Sequence, residues 1–209
     1  MPKAFVYTEL QILRPFTEAV WRESNPKLLA LPGFVNKTWL AGVNNHSVGG
    51  FYEFDSIENA RHFAVTVFPG RARAQGVAQT TRLFDGQVVE EASRQLNSVH
   101  FGGRIESKPG AFVYTEAQVG VPFDKAPWRE MNPVLKVQPG LLAKTWLSGV
   151  GNHSVGGFYA FDSLENATRF AVDDFPTEAQ ALAAAYTTRI FDASLVEVAS
   201  RPMRSPFFA

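Results

Sequence analysis

Ala4-Phe5-Val6-Tyr7-Thr8-Glu9 returns as Ala111-Phe112-Val113-Tyr114-Thr115-Glu116. From there to Arg94 and Arg201 the two halves align without a gap, with about six positions in ten identical. A repeat of this length constrains the fold more than any single motif, because whatever one half forms the other must form too. Two copies of about 100 residues each are domains, not turns of a solenoid.

Each half is organised around one hairpin. Val35 to Val43 and Val48 to Phe54 are rich in β-branched and aromatic residues, as strands are. Between them Asn44-Asn45-His46-Ser47 favours a turn, and Gly151-Asn152-His153-Ser154 does the same in the second half. Gly151 for Asn44 preserves access to positive φ. A first strand is predicted over about 4–10 and a helix over about 17–31. Pro26 should kink or break that helix, with Asn25 capping a second piece. After the hairpin, Asp55 reads as an N-cap with Glu58 reaching back. Ile57, Ala60, Ala64, Val65 and Phe68 then follow at helical spacing. Pro69-Gly70 should end this helix, a short helix over 71–78 should follow, and the last strand should cover 80–85, with 187–192 as its counterpart.

The order β-α-β-β-α-β is the ferredoxin-like split βαβ pattern, an α+β fold. Such a sheet carries helices on one face and must bury the other. The expected solution is that the two antiparallel sheets pack face to face as an intramolecular α+β barrel. The expected boundaries are repeat 1 over 1–94, a polar, glycine-bearing linker over 95–110, and repeat 2 over 111–209.

Composition excludes several functions. Twenty basic and twenty acidic residues are mixed along the 209-residue chain, so no electrostatic footprint for nucleic acid or an anionic membrane is expected. Cysteine is absent, which removes disulfides, thiolate catalysis and Cys metal sites and favours a reducing, cytoplasmic setting. The first residues run straight into a strand with no apolar signal segment, and no apolar run nears the roughly 18 residues of a membrane helix. No metal site is expected: His62 and His100 have no counterparts in the second half. Gly49-Gly50 interrupts a strand, so it marks a bulge or a close backbone approach rather than a phosphate loop.

Pro-Gly-Phe, then Lys-x-Trp, then Asn-His-x-x-Gly-Gly-x-Tyr-x-Phe, over Pro32 to Phe54, resembles the YdhR-like monooxygenase family of the dimeric α+β barrel superfamily. Gln75 to Asp85 carries the resemblance further. It covers nearly all of each half, but known members are single copies that dimerise. The resemblance therefore implies an internal pseudo-dimer, with further homodimerisation left open. It also implies a small-molecule pocket between sheet and helices, and it points to the haem-free branch, hence to no cofactor.

Several residues are candidates for that pocket. His46 and His153 could act as bases near neutral pH, with Asn45 and Asn152 fixing the tautomer or holding a substrate oxygen. Against this, an Asn-His pair at a hairpin tip is also explained by turn chemistry. Trp39, Trp146, Tyr52 and Tyr159 could line an aromatic cradle or simply be core. Arg82 and Arg189 could bind a carboxylate or phenolate, or pair with a carboxylate such as Glu9 or Glu53. Lys37 and Lys144 are open in the same way. Alternation places Val35, Lys37, Trp39 and Ala41 on one strand face and Asn36, Thr38 and Leu40 on the other, without saying which face meets the helices. Gly70-Arg71-Ala72-Arg73 becomes Thr177-Glu178-Ala179-Gln180, a change from basic to acidic at the predicted pocket mouth.

Three functions fit. The first is a cofactor-independent oxygenase of an aromatic or polyketide-like substrate. The second is an isomerase, cyclase or dehydratase in the same pocket. The third is a non-catalytic, stress-related ligand-binding barrel.

Overall fold

The computed structural model of the protein describes residues 3–12, 15–16 and 18–208. The first repeat runs β1 (Ala4–Gln11), α1 (Glu18–Leu29), β2 (Phe34–Ala41), β3 (Ser47–Phe54), α2 (Ile57–His62), α3 (Phe68–Gln75) and β4 (Gln79–Asp85). A short α4 (Glu90–Arg94) follows. The second repeat runs β5 (Ala111–Gln118), α5 (Trp128–Lys136), β6 (Leu141–Ser148), β7 (Ser154–Phe161), α6 (Leu164–Arg169), α7 (Phe175–Ala181) and β8 (Ala185–Asp192), and α8 (Glu197–Ser200) closes the series. The sheet orders are β2-β3-β1-β4 and β6-β7-β5-β8. The fold is thus α+β, two ferredoxin-like repeats in one chain.

Several local features differ from expectation. Thr17, the expected start of the first helix, lies outside the described residues. Pro26 does not break α1. It is exposed, and Asn25 before it is buried and bonded elsewhere instead of capping a second piece. Ser56, not Asp55, caps α2 by accepting from the Asn59 amide, and Ser163 does the same for α6.

Pro69-Gly70 does not end the helical run either. A π turn over Phe63–Val67 joins α2 to α3, with the Phe68 amide reaching the Phe63 carbonyl. Pro69 then sits in the first turn of α3, where its missing N–H costs least. The second repeat has the same π turn over Phe170–Asp174 before Pro176.

The π turns bring Phe63 onto Tyr52 and Phe54, at 4.7 and 5.3 Å between ring centres. Phe170 packs the same way on Tyr159 and Phe161. These rings make the core between each sheet and its helices. On the other faces Phe5 stacks on Phe51, and Phe112 on Phe158.

The compact units are not the two repeats themselves. One contains the chain up to Asp85 together with the stretch from Asp192 onward, and the other is Gly86–Phe191. The stretch after β4, expected as linker over 95–110, supplies buried Leu96, Ser98, His100 and Phe101 to the second unit. Ser93 Oγ accepts from the Trp146 amide at 2.9 Å, and Ser98 bonds Thr145 at 2.7 Å. In the first unit Ser200 Oγ accepts from the Trp39 amide, and Ser205 bonds Thr38. Each repeat's tail therefore packs on the β2-type strand of the other repeat.

Candidate functional site

β2 and β3 pair so that Lys37 stands opposite Tyr52, and Trp39 opposite Gly50. Alternation puts Lys37, Trp39 and Tyr52 on one face, and the structure turns that face toward the helices. Gly50 leaves room for the lysine stem, because a Cβ there would run into Lys37 Cε. The lysine folds back so that Nζ lies 2.7 Å from the centre of the Trp39 ring and 4.8 Å from that of Tyr52. The second repeat copies this: Lys144, opposite Tyr159, puts Nζ 2.9 Å from Trp146 and 4.7 Å from Tyr159, with Gly157 opposite Trp146. The Lys-x-Trp and Gly-x-Tyr spacings thus belong to one arrangement.

Trp39 is held from two sides. Its indole N–H donates to Asn25 Oδ1 at 2.9 Å, while Asn25 Nδ2 donates to the Ala199 carbonyl. Asn132 does the same between Trp146 and the Ala92 carbonyl. The Asn-Pro of each first helix is thus a clamp joining helix, aromatic strand and tail.

A cavity of about 80 Å³ lies over Lys37, Trp39 and Tyr52, bounded also by Thr8, Leu28, Phe68, Arg71 and Gln75. A water needs about 10–15 Å³ of such space, so this cavity has room for several waters or the edge of a larger molecule. The matching cavity over Lys144, Trp146 and Tyr159 is about 30 Å³, with Glu178 where Arg71 stands in the first.

Burial, and after it the Arg71 charge, holds Lys37 well below the ordinary lysine range. Burial lowers Lys144 too, but the Glu178 carboxylate opposes the shift. Burial raises both phenols above their ordinary value, so Tyr52 and Tyr159 stay protonated. Burial also raises Glu178, with Lys144 pulling the other way. Lys144 Nζ has no hydrogen-bond partner among the described residues. Each site therefore sets an amine primed to be neutral beside a phenol that stays protonated and can donate.

The structure thus brings Lys37, Trp39 and Tyr52 together, and likewise Lys144, Trp146 and Tyr159. His46 and His153 are elsewhere, exposed at the hairpin tips with φ of 51°. Asn45 Oδ1 accepts from the Ser47 amide at 3.0 Å, and Asn152 Oδ1 from the Ser154 amide at 3.1 Å, so these side chains serve the turns. Arg82 and Arg189 are exposed on β4 and β8, where each donates to the carbonyl of the preceding threonine. Glu53, weighed as a partner for Arg82, accepts from Asn36 and pairs with Lys3. Sequence reasoning missed Asn25, Asn132 and the serines of the tails, whose partners are distant in the chain. Among the described residues no group of three or more His, Asp or Glu could hold a metal ion, and no helix is long and apolar enough to cross a membrane.

No family model matches the sequence, and no curated protein matches it. Solved structures do. An anthrone oxidase-like protein is similar at TM-score 0.56 and 16% identity, over 91% of this chain and 90% of its own. A chlorite dismutase candidate is similar at TM-score 0.56 and 13% identity, over 92% and 94%. A monooxygenase candidate from Lactobacillus acidophilus NCFM is similar at TM-score 0.52 and 9% identity, over 91% and 93%. The likeness is one of fold, and it spans both repeats.

Proposed function

We propose that the chain is a YdhR-like small-molecule oxygenase that deprotonates an acidic aromatic compound and lets it react with O₂. The observation that carries this reading is the Lys37 amine, buried against Trp39 and across from Tyr52 at the floor of a cavity of about 80 Å³. The fold likeness to an anthrone oxidase-like protein supports the substrate class.

An amine held well below its ordinary pKa is a competent general base near neutrality. Lys37 takes a proton from the activated CH₂ of an aromatic substrate whose reacting edge alone enters the cavity. The buried Tyr52 phenol donates a hydrogen bond to the enolate oxygen, and Trp39, its face against the Lys37 amine, bounds the site. The carbanion passes an electron to O₂, and radical and superoxide combine as a peroxide anion. That anion recovers the proton from the Lys37 ammonium. Loss of water from the hydroperoxide leaves a carbonyl, so CH₂ and O₂ become C=O and H₂O. All electrons come from the substrate, and the amine is regenerated.

The test is O₂ uptake with a panel of anthrones and hydroquinones. Lys37→Met should abolish most of it, and His46→Ala should leave it nearly intact. The reverse pattern would move the base to the hairpin tip, and no uptake with any member of the panel would sink oxygenation.

The same amine favours one rival. A neutral buried lysine condenses with carbonyl compounds. Borohydride trapping of a carbonyl substrate on Lys37 without O₂ uptake would point to an isomerase or cyclase.

A further inference from the structure

We propose that the first repeat's cavity is an anion site, taking a small aromatic carboxylate or phenolate between Lys37 Nζ and the Arg71 guanidinium, and that Glu178 closes the second repeat's cavity to the same ligands. This deepens the reading of the cavity as a substrate site and rests on it.

The two cavities are a controlled comparison within one chain. Lysine, tryptophan, tyrosine and the phenylalanine of the following helix are the same in both. At the position facing the lysine, Arg71 in α3 is replaced by Glu178 in α7. The first cavity therefore holds Lys37 and Arg71, and among the described residues no Asp or Glu lines it. The second holds one of each sign.

Arg71 repels a proton on Lys37 across this partly dry cavity, and that repulsion helps hold the amine neutral. An anion between them relieves it and gains charge-assisted hydrogen bonds from both sides, with the Arg fork suited to a carboxylate. In the second cavity the counter-charge is already built in. Glu178 is attracted to Lys144, and its carboxylate would repel an incoming one. Size agrees with charge: about 80 Å³ against about 30 Å³. The two aromatic walls select a flat, ring-bearing anion over an inorganic one.

The test uses the full chain, benzoate as probe and benzamide as its neutral counterpart, with calorimetric titration at neutral pH. The expected result is one benzoate site per chain, with benzamide at least tenfold weaker. Arg71→Glu should weaken benzoate at least tenfold, and Arg71→Gln by less. Glu178→Arg should raise the stoichiometry toward two. Arg71→Gln guards against a reversal variant that fails to fold. No benzoate binding at millimolar concentration, equal affinity for benzamide, two sites in the unaltered chain, or indifference to Arg71 would each overturn the proposal. Glu178→Arg remaining at one site would overturn the role given to Glu178. Benzoate binding that depends on Arg71 without any O₂ uptake would leave the anion site standing and remove the oxygenase. Uptake unaffected by Arg71→Glu would do the opposite.

Discussion

Lys37 and Trp39 sit two residues apart on one strand, and the lysine bends back until its nitrogen is 2.7 Å from the centre of the indole ring. The ring face favours a cation. Burial, with Arg71 behind it, favours the neutral amine. The side chain is held between these influences at the floor of a cavity. A residue kept only for packing would not need a glycine across the sheet to make room for its stem, nor an asparagine to fix the ring under its head.

Lys144 offers the cleanest stability test. Its Nζ is buried with no hydrogen-bond partner among the described residues, a situation that costs about 1–3 kcal/mol. Lys144→Met keeps the stem and removes the polar head. It should stabilise the protein by about 1–3 kcal/mol, read from the denaturant midpoint at neutral pH. A loss of stability would mean that the amine has a partner, such as Glu178, that matters more than its desolvation.

The buried amines also set a pH dependence. In the unfolded chain a lysine holds its proton up to about 10.5, whereas folded Lys37 and Lys144 release theirs lower. Between those values the unfolded state binds more protons, so stability rises with pH. Arg71 strengthens the effect at Lys37, and Glu178 weakens it at Lys144. Tyr52 and Tyr159 act oppositely, because their folded phenols stay protonated above the ordinary value of 10.0, so stability falls beyond it. The stability difference between the unaltered chain and the Lys37→Met, Lys144→Met double variant should therefore change in favour of the unaltered chain from neutral pH to about pH 10. Parallel curves over that range would show that the amines are not buried in solution.

The tails give a third prediction. Ser200 Oγ accepts from the Trp39 amide, and Ser93 Oγ from the Trp146 amide, both at 2.9 Å. Ser200→Ala leaves a buried backbone N–H without its partner and should cost about 1–3 kcal/mol. Hydrogen exchange should locate the loss in β2 and spare β6. Ser93→Ala should give the mirror result. Equal loosening of both strands from either variant would refute the reciprocal arrangement of the tails.

The element order and the shared strand face of Lys37 and Trp39 were legible in the sequence, because a gapless repeat and strand alternation both leave regular traces, whereas the register that adds Tyr52 was not. Which face met the helices was not, since alternation defines two sets without ranking them. Pro69 misled because a proline inside a helical pattern reads as a stop, whereas a π turn just before it makes position 69 a first turn. The hydrogen bonds of Ser93, Ser98, Ser200 and Ser205 left no periodic signal, being single polar residues in polar stretches. His46 drew notice for its chemistry, but its positive φ belongs to the tip of a turn.

Gly49 and Gly50 should separate fold from site. A Cβ at Gly49 would collide with the Thr8 carbonyl on the paired strand, and backbone cannot step aside. Gly49→Ala should cost on the order of 3 kcal/mol by forcing β1 and β3 apart. A Cβ at Gly50 meets Lys37 Cε and the edge of the Tyr52 ring. The lysine is flexible at that end although the buried Tyr52 ring is not, so Gly50→Ala should cost less stability than Gly49→Ala while pushing Nζ off the Trp39 ring. Turnover and benzoate affinity should both fall at least fivefold in Gly50→Ala, and the same change at Gly157 should leave both unaltered. If Gly50→Ala keeps full turnover and affinity, Lys37 does not act from the position over Trp39, and the base must be sought elsewhere in the cavity.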